Sequence, residues 1–146
     1  MIEVIPSKES DMERFENDTD LSNKSISDAI TFSRKHPDFR TIFTLWDTDT
    51  HSVVAFIGMN LIVNGVYEFY VIKSKQASQK ALEMWKEIDY ALSSFFETKI
   101  IHRAQIAVSV ENEKYIKFLE RFKFLPEGVM KNYYGDGKDQ MLLARV

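Results

Sequence analysis

The stretch YVIKSKQASQKALEMW, Tyr70–Trp85, passes from an apolar run through a lysine-dotted turn into a helical pattern. Upstream it completes VYEFYVI, Val66–Ile72, whose branched and aromatic residues suit a strand. Downstream the period changes. Between Gln76 and Glu97, residues Ala81, Met84, Trp85, Ile88, Leu92 and Phe95 share one helical face, with Lys80, Lys86, Glu87 and Asp89 mostly off it. The next apolar segment, IIHRAQIAVSV from Ile100 to Val110, alternates as a strand and carries His102 as a half-buried sheet residue. A strand, a long helix and a second strand imply a right-handed crossover between parallel neighbours.

Working outward, IEVIP reads as a short first strand stopped by Pro6, and SKESDMERFEND offers Ser7 or Ser10 as the N-cap of a short helix. Asp18 to His36 is a second helical run, closed before Pro37 because the residue ahead of proline avoids helical geometry. RTIFTLWD, SVVAFIGMNLIV and VYEFYVI follow as a meander. Their joints are TDTH and Asn64-Gly65, the latter a hairpin signal because both residues tolerate positive φ. Beyond Val110, ENEKYIKFLERF is a shorter helix with Tyr115, Phe118 or Leu119, and Phe122 one turn apart. GVMKNYY, a GDG turn and QMLLARV predict a closing hairpin. The predicted order is β-α-α-β-β-β-α-β-α-β-β, an α/β (α+β) class with a mixed central sheet.

Composition bounds the function classes. A chain of 146 residues, 45% hydrophobic and free of low-complexity segments, predicts one domain spanning 1–146 around one core. Cysteine is absent, which excludes disulfides, thiolate zinc sites and a catalytic thiol. His36, His51 and His102 lack metal-ligand spacing, so no metal site is expected. No apolar run reaches about 18 residues, and the N-terminal segment is acidic where a signal peptide is basic. A soluble, cytoplasmic protein with no membrane association is expected. The formal net charge of -3 and the lack of an aromatic-basic platform argue against nucleic acid.

The element order, read with particular residues, resembles the GNAT superfamily of N-acetyltransferases over nearly the whole chain. That family has a strand ending in Val, four residues, then Q/R-x-x-G-x-G/A opening a helix. Here Val71 is followed in that register by Gln76, Gln79 and Ala81, with Gln79 in the place of a glycine. The family's later N, G-F, E-G, aromatic strand and D are matched by Asn112, Lys123-Phe124, Glu127-Gly128, Tyr133-Tyr134 and Asp139, with Lys123 replacing a glycine. The segment NEKYIKFL, Asn112–Leu119, is also similar to small GNAT-like proteins of short-tailed bacteriophages, the internal virion protein A group.

The resemblance implies a GNAT-like sheet with helices on both faces and acetyl-CoA as cosubstrate, its pantetheine lying where the strand ending at Val71 diverges from the one ending at Val110. It places the pyrophosphate on the amides of Ala77, Ser78, Gln79, Lys80 and Ala81, with Gln76 and Lys80 beside it. Unpartnered amides and the helix dipole favour anions at such a point, and Lys73, Lys75 and Lys80 add charge around it. A strand, a polar turn and a helix with solvated lysines give the same pattern with no cofactor at all. Asn112 is assigned to the cofactor or to capping the following helix. Glu68 is the candidate base for an amine acceptor, small molecule or protein, and strand alternation suits it equally as a polar residue facing solvent. Tyr115 is the candidate thiolate acid, since Leu119 stands where the family's Tyr falls, and its helical spacing suits the core equally. Tyr133, Tyr134 and Asp139 are candidates for the border of an acceptor site. The phage likeness supplies a second class, a GNAT-fold interaction or virion protein that acetylates nothing, with virion proteins or a second copy as partners.

Overall fold

Apolar alternation in the strands and the hairpin turn at Gly65, where φ is 81°, set up the sheet. The computed structural model describes all residues from Met1 to Val146. Its strands are β1 (Ile2–Pro6), β2 (Arg40–Asp47), β3 (Ser52–Val63), β4 (Val66–Lys73), β5 (Arg103–Ser109), β6 (Leu125–Met130) and β7 (Gln140–Arg145). They form one seven-stranded sheet in the order β1-β2-β3-β4-β5-β7-β6. All neighbours are antiparallel except β4 and β5, which are parallel, as the crossover requires. The helices are α1 (Asn23–Lys35), α2 (Ala81–Glu97) and α3 (Glu113–Glu120).

Helices cover both faces, and the alternation of β4 decides which side chains meet which helix. Phe69, with Tyr67 and Val71 beside it, packs in the core of α2 and α3, where Trp85, Ile88, Leu119 and Phe122 lie. Ile72 and Tyr70 instead meet Phe15, Ile26 and Ile30 beneath α1. Glu68 therefore shares the α1 face, and Lys73 the face of α2 and α3. Trp85 is 1% exposed and touches the rings of Phe69, Tyr115, Phe118 and Phe122 at centroid distances of 6.0, 6.2, 6.1 and 5.7 Å.

Several boundaries differ from the sequence expectation. The first short helix is a 3-10 segment, Glu9–Arg14, capped at Lys8, whose N–H donates to Asp11 Oδ2 at 3.1 Å. Ser7 is instead buried against Thr44, with 2.8 Å between the hydroxyl oxygens. Helix α1 begins at Asn23, because Asn17 Oδ1 accepts from both the N–H and the hydroxyl of Thr19 and folds Asp18–Ser22 into a turn. Ser22 Oγ then caps the helix by accepting from Ser25 N–H. His102 precedes β5 and is exposed. The closing hairpin starts earlier than expected, at Leu125, so Tyr133 and Tyr134 lie in the turn rather than on a strand. Asn132 bends the chain there with φ 49°, accepting from Gly137 N–H and donating its own N–H to Asp139.

Lys123, which replaces a glycine of the resembled pattern, adopts φ 70°. The backbone keeps the left-handed conformation that glycine would favour, at a steric cost of about 1–2 kcal/mol for a residue with a Cβ. Lys123→Gly should therefore stabilise the fold by up to about 1 kcal/mol, after the added flexibility of the unfolded chain is subtracted. A melting temperature no higher than that of the parent protein would show that the Lys123 side chain compensates for its backbone.

Candidate cofactor and acceptor site

Strands β4 and β5 pair over only three residues each, Val66–Glu68 with Arg103–Gln105. From Phe69 and Ile106 onward they part. The main-chain groups facing each other across this wedge have no strand partner, a state normally avoided in a buried sheet. Parting begins nearer the strand starts than the expected positions at Val71 and Val110. Val71 itself remains paired to Ile57 of β3 and packs on the core.

The turn that follows β4 is braced from several sides. Gln76 Nε2 donates to Ser52 Oγ at 2.6 Å. Residues Ala77–Lys80 form a 3-10 turn, and α2 begins at Ala81. The N–H of Ala77 donates to Ser74 O and that of Gln79 to Gln76 O, both at 3.2 Å, so these two amides are engaged within the turn. Ala77 is 1% exposed, whereas Ser78 is open to solvent. Gln79 needs no glycine geometry, and it lines a polar cavity of 560 Å³ with Arg14, Glu16, His51 and Lys75. Ser74 Oγ, at the head of the turn, is buried without a hydrogen-bond partner.

Lys80 does not reach freely into the turn. Its ammonium is 2.7 Å from Oδ2 of Asp47, a fully buried carboxylate at the end of β2. Asp47 also accepts from Asp49 N–H and from the Thr50 hydroxyl, each at 3.0 Å. Burial alone would raise the Asp47 pKa, but the hydrogen bonds from Lys80, Asp49 and Thr50 outweigh it and hold the carboxyl at about 2. This pair moors the start of α2 to the β2–β3 turn.

At the wedge, the ammonium of Lys73 lies 4.3 Å from the centroid of the Tyr115 ring, a cation–π contact between β4 and α3. Burial lowers the Lys73 pKa, and no carboxylate pairs with it. Tyr115 stacks on Phe118, 6.5 Å away, and burial raises the pKa of its hydroxyl. The ring thus belongs to the aromatic core while bordering the wedge. Asn112 caps α3, with Oδ1 accepting from Tyr115 N–H at 3.3 Å.

The opposite face carries a polar row across four strands, with Arg40, Asn60, Glu68 and Gln105 side by side in register. Arg40 Nε donates to Asn60 Oδ1 at 2.8 Å. One step along the strands, Tyr70 lies flat over Gly58, where an added Cβ would come within 1.9 Å of the ring. Burial raises the Tyr70 pKa, Arg40 lowers it and Glu68 raises it again, so both charges act on this hydroxyl. Glu68 also borders a small crevice with Gln105, Met130 and Tyr133. Burial and the Glu68 charge raise the pKa of Tyr134. The structure brings Glu68, Tyr70 and the Tyr133-Tyr134 turn together, and separates them from Tyr115 by the sheet. Arg40 carried no signal in the sequence, since its position opposite Asn60 depends on pairing between strands.

A mixed seven-stranded sheet opened between its two parallel strands, with a long helix leaving the first of them, is the GNAT fold. Neither a protein-family model nor a curated protein matches the sequence. Solved structures do match in fold. SpeG of Vibrio cholerae, a spermidine/spermine N-acetyltransferase in complex with manganese ions, aligns with a TM-score of 0.77 at 17% identity over 99% of this chain and 91% of that one. A chimera of SpeG from Vibrio cholerae and hSSAT aligns at 0.79 with 16% identity, over 99% and 95%. RimL, a ribosomal L7/L12 alpha-N-protein acetyltransferase in complex with coenzyme A, aligns at 0.80 with 14% identity, over 99% and 93%.

Proposed function

We propose that the protein is an acyl-CoA-dependent N-acyltransferase that moves an acetyl group from acetyl-CoA to an amine. The observation that carries this reading is the wedge between β4 and β5, which leaves main-chain donors and acceptors unpaired beside the polar face holding Glu68. Those groups suit the amides of a pantetheine arm. The acetyl thioester supplies an activated carbonyl when bound, and the residues of this chain do the rest. Glu68 takes the proton of the attacking amine, directly or through water. Tyr115 can donate a proton to the leaving thiolate, a smaller contribution because a thiol of reference pKa about 8.5 leaves readily near neutral pH. Gln76, Ala77, Ser78, Gln79, Lys80, Ala81 and Asn112 border the cofactor.

With Lys80 held by Asp47 and the amides of Ala77 and Gln79 engaged, Lys73 is the cation at the wedge without a carboxylate partner, and we assign it to the pyrophosphate. An anion there would restore the charge that burial disfavours. Lys73→Gln should weaken binding of CoA about tenfold and leave binding of pantetheine, which lacks the pyrophosphate, nearly unchanged. Calorimetry with both ligands measures this, and equal losses for the two would remove Lys73 from phosphate binding. The proposal as a whole is tested by titrating wild-type protein with acetyl-CoA and assaying thiol release with amines. Absence of binding at millimolar acetyl-CoA would overturn it.

The engaged turn amides and the Lys73–Tyr115 contact bridging the wedge also favour a second reading, a non-catalytic GNAT-fold interaction protein, whether or not in a virion. Tight acetyl-CoA binding combined with no acetylation across a broad amine panel would support it.

A further inference from the structure

Arg40 is a positioned cation without a counter-charge. Arg34, Arg103 and Arg145 are neutralised by Glu9, Glu127 and Asp89, whereas Arg14 and Arg121, like Arg40, have no carboxylate partner but no side-chain hydrogen bond fixes them either. Arg40 instead is fixed by neutral groups, with Nε donating to Asn60 Oδ1 and its guanidinium carbon 5.4 Å from the centroid of the Phe32 ring. Its two Nη groups donate to no protein atom. A guanidinium oriented through Nε and an aromatic face, with the rest of its fork unused, is suited to bidentate pairing with a carboxylate.

The surroundings give that carboxylate a place. Arg40 lines an open cavity of 470 Å³ with Ser25, Asp28, Ala29 and Phe32 on α1. Asp28, the acid in this cavity, is already paired with Lys24 at 2.7 Å. In the same polar row, two strands away, stands Glu68. Adjacent strands are about 4.8 Å apart, so the two residues are rooted roughly 10 Å from each other and their side chains can approach opposite ends of one small molecule. Both charges act on the Tyr70 hydroxyl between them.

We infer that the acceptor is a small amine that also carries a carboxylate, an acceptor of the amino-acid class, with Arg40 holding the carboxylate and Glu68 facing the amine. This inference rests on the acyltransferase reading. In the reaction the neutral amine attacks the thioester carbonyl and forms the C–N bond. The C–S bond breaks, CoA departs as thiolate, and the amine proton passes to Glu68. Arg40 takes no proton; it selects and orients. A polyamine, with no anionic group, would meet Arg40 as a repelling charge.

The test compares the twenty free L-amino acids and β-alanine with the corresponding amides, and with spermidine, as acceptors of acetyl groups from acetyl-CoA. At least one free acid should be preferred over its amide by about 10- to 100-fold in kcat/KM, the worth of a charge-assisted pair. In Arg40→Gln this preference should fall toward one, chiefly through KM, and Arg40→Lys should restore part of it. Thermal melts check that both variants fold. Amides or spermidine used as well as the acids, or a preference that survives in Arg40→Gln, would overturn the inference. The amides resemble a peptide acceptor, so their preference would point to protein substrates. Absence of turnover together with absence of calorimetric binding of any free acid would overturn it also. Acetyl-CoA calorimetry in the same series then shows whether the cofactor reading has fallen with it.

Discussion

Glu68→Gln should lower the turnover of amine acetylation by about 10² to 10⁴, the usual contribution of a general base, while acetyl-CoA affinity stays within about twofold. The side chain keeps its shape and loses only its capacity to take a proton. Glu68 is half-buried in the last paired register of β4 and β5, where the sheet begins to open, on the face shared with Tyr70. It is therefore placed beside the wedge but across the sheet from Tyr115. Separate positions for base and acid predict separable effects, with Tyr115→Phe costing less than Glu68→Gln. Steady-state kinetics on both variants decide it. Full activity in Glu68→Gln would exclude Glu68 from proton transfer.

Asp47→Ala should destabilise the protein by about 2 kcal/mol or more, since the Thr50 hydroxyl, the Asp49 N–H and the Lys80 ammonium all lose the carboxylate that accepts from them. For a chain of this length that corresponds to a melting temperature lower by roughly 5–8 °C. The pH dependence follows in sign. The folded carboxyl titrates at about 2, below its ordinary value near 3.8, so its contribution is fully present above about pH 4 and is lost as pH falls through the folded value. Asp47→Asn should flatten the stability profile of the protein between about pH 4 and 2. Melts of parent and variant that run parallel through that window would show that Asp47 is not the group responsible. Because Asp47 anchors Lys80, its loss should also loosen the turn after β4 and weaken CoA binding.

What was legible in the sequence was what local pattern controls. The crossover from Val66 to Val110 follows from a change of period, and the hairpin at Asn64-Gly65 from backbone tolerance; they give the neighbours β4 with β5 and β3 with β4, while the place of β7 between β5 and β6 has no local signal. Asn112 announced a cap and is one. Spacing cannot separate a 3-10 turn from the first turn of an α-helix, because bonds to the third or fourth residue bury nearly the same side chains. The segments Glu9–Arg14 and Ala77–Lys80 therefore show only a helical pattern in the sequence, with no mark of the tighter turn they adopt. Lys80 looked like a free charge because Asp47 lies on a distant strand and reaches it only through tertiary packing. Arg40 was silent for the same reason. Lys123 stands where the resembled pattern has a glycine, and its φ of 70° is the left-handed conformation that glycine favours.

The edge contact between Trp85 and Tyr115 gives the wedge an optical readout. The chain has two tryptophans, and the other, Trp46, lies near His51 at 6.5 Å, remote from α3. In a Trp46→Phe background, emission would come from a single indole whose aromatic neighbour carries the Lys73 ammonium. Drawing that cation away toward an anion, or wedging a ligand between β4 and β5, changes the field and the packing around that indole. Intrinsic fluorescence can thus follow ligand entry in real time, with no label attached and before any acceptor has been identified.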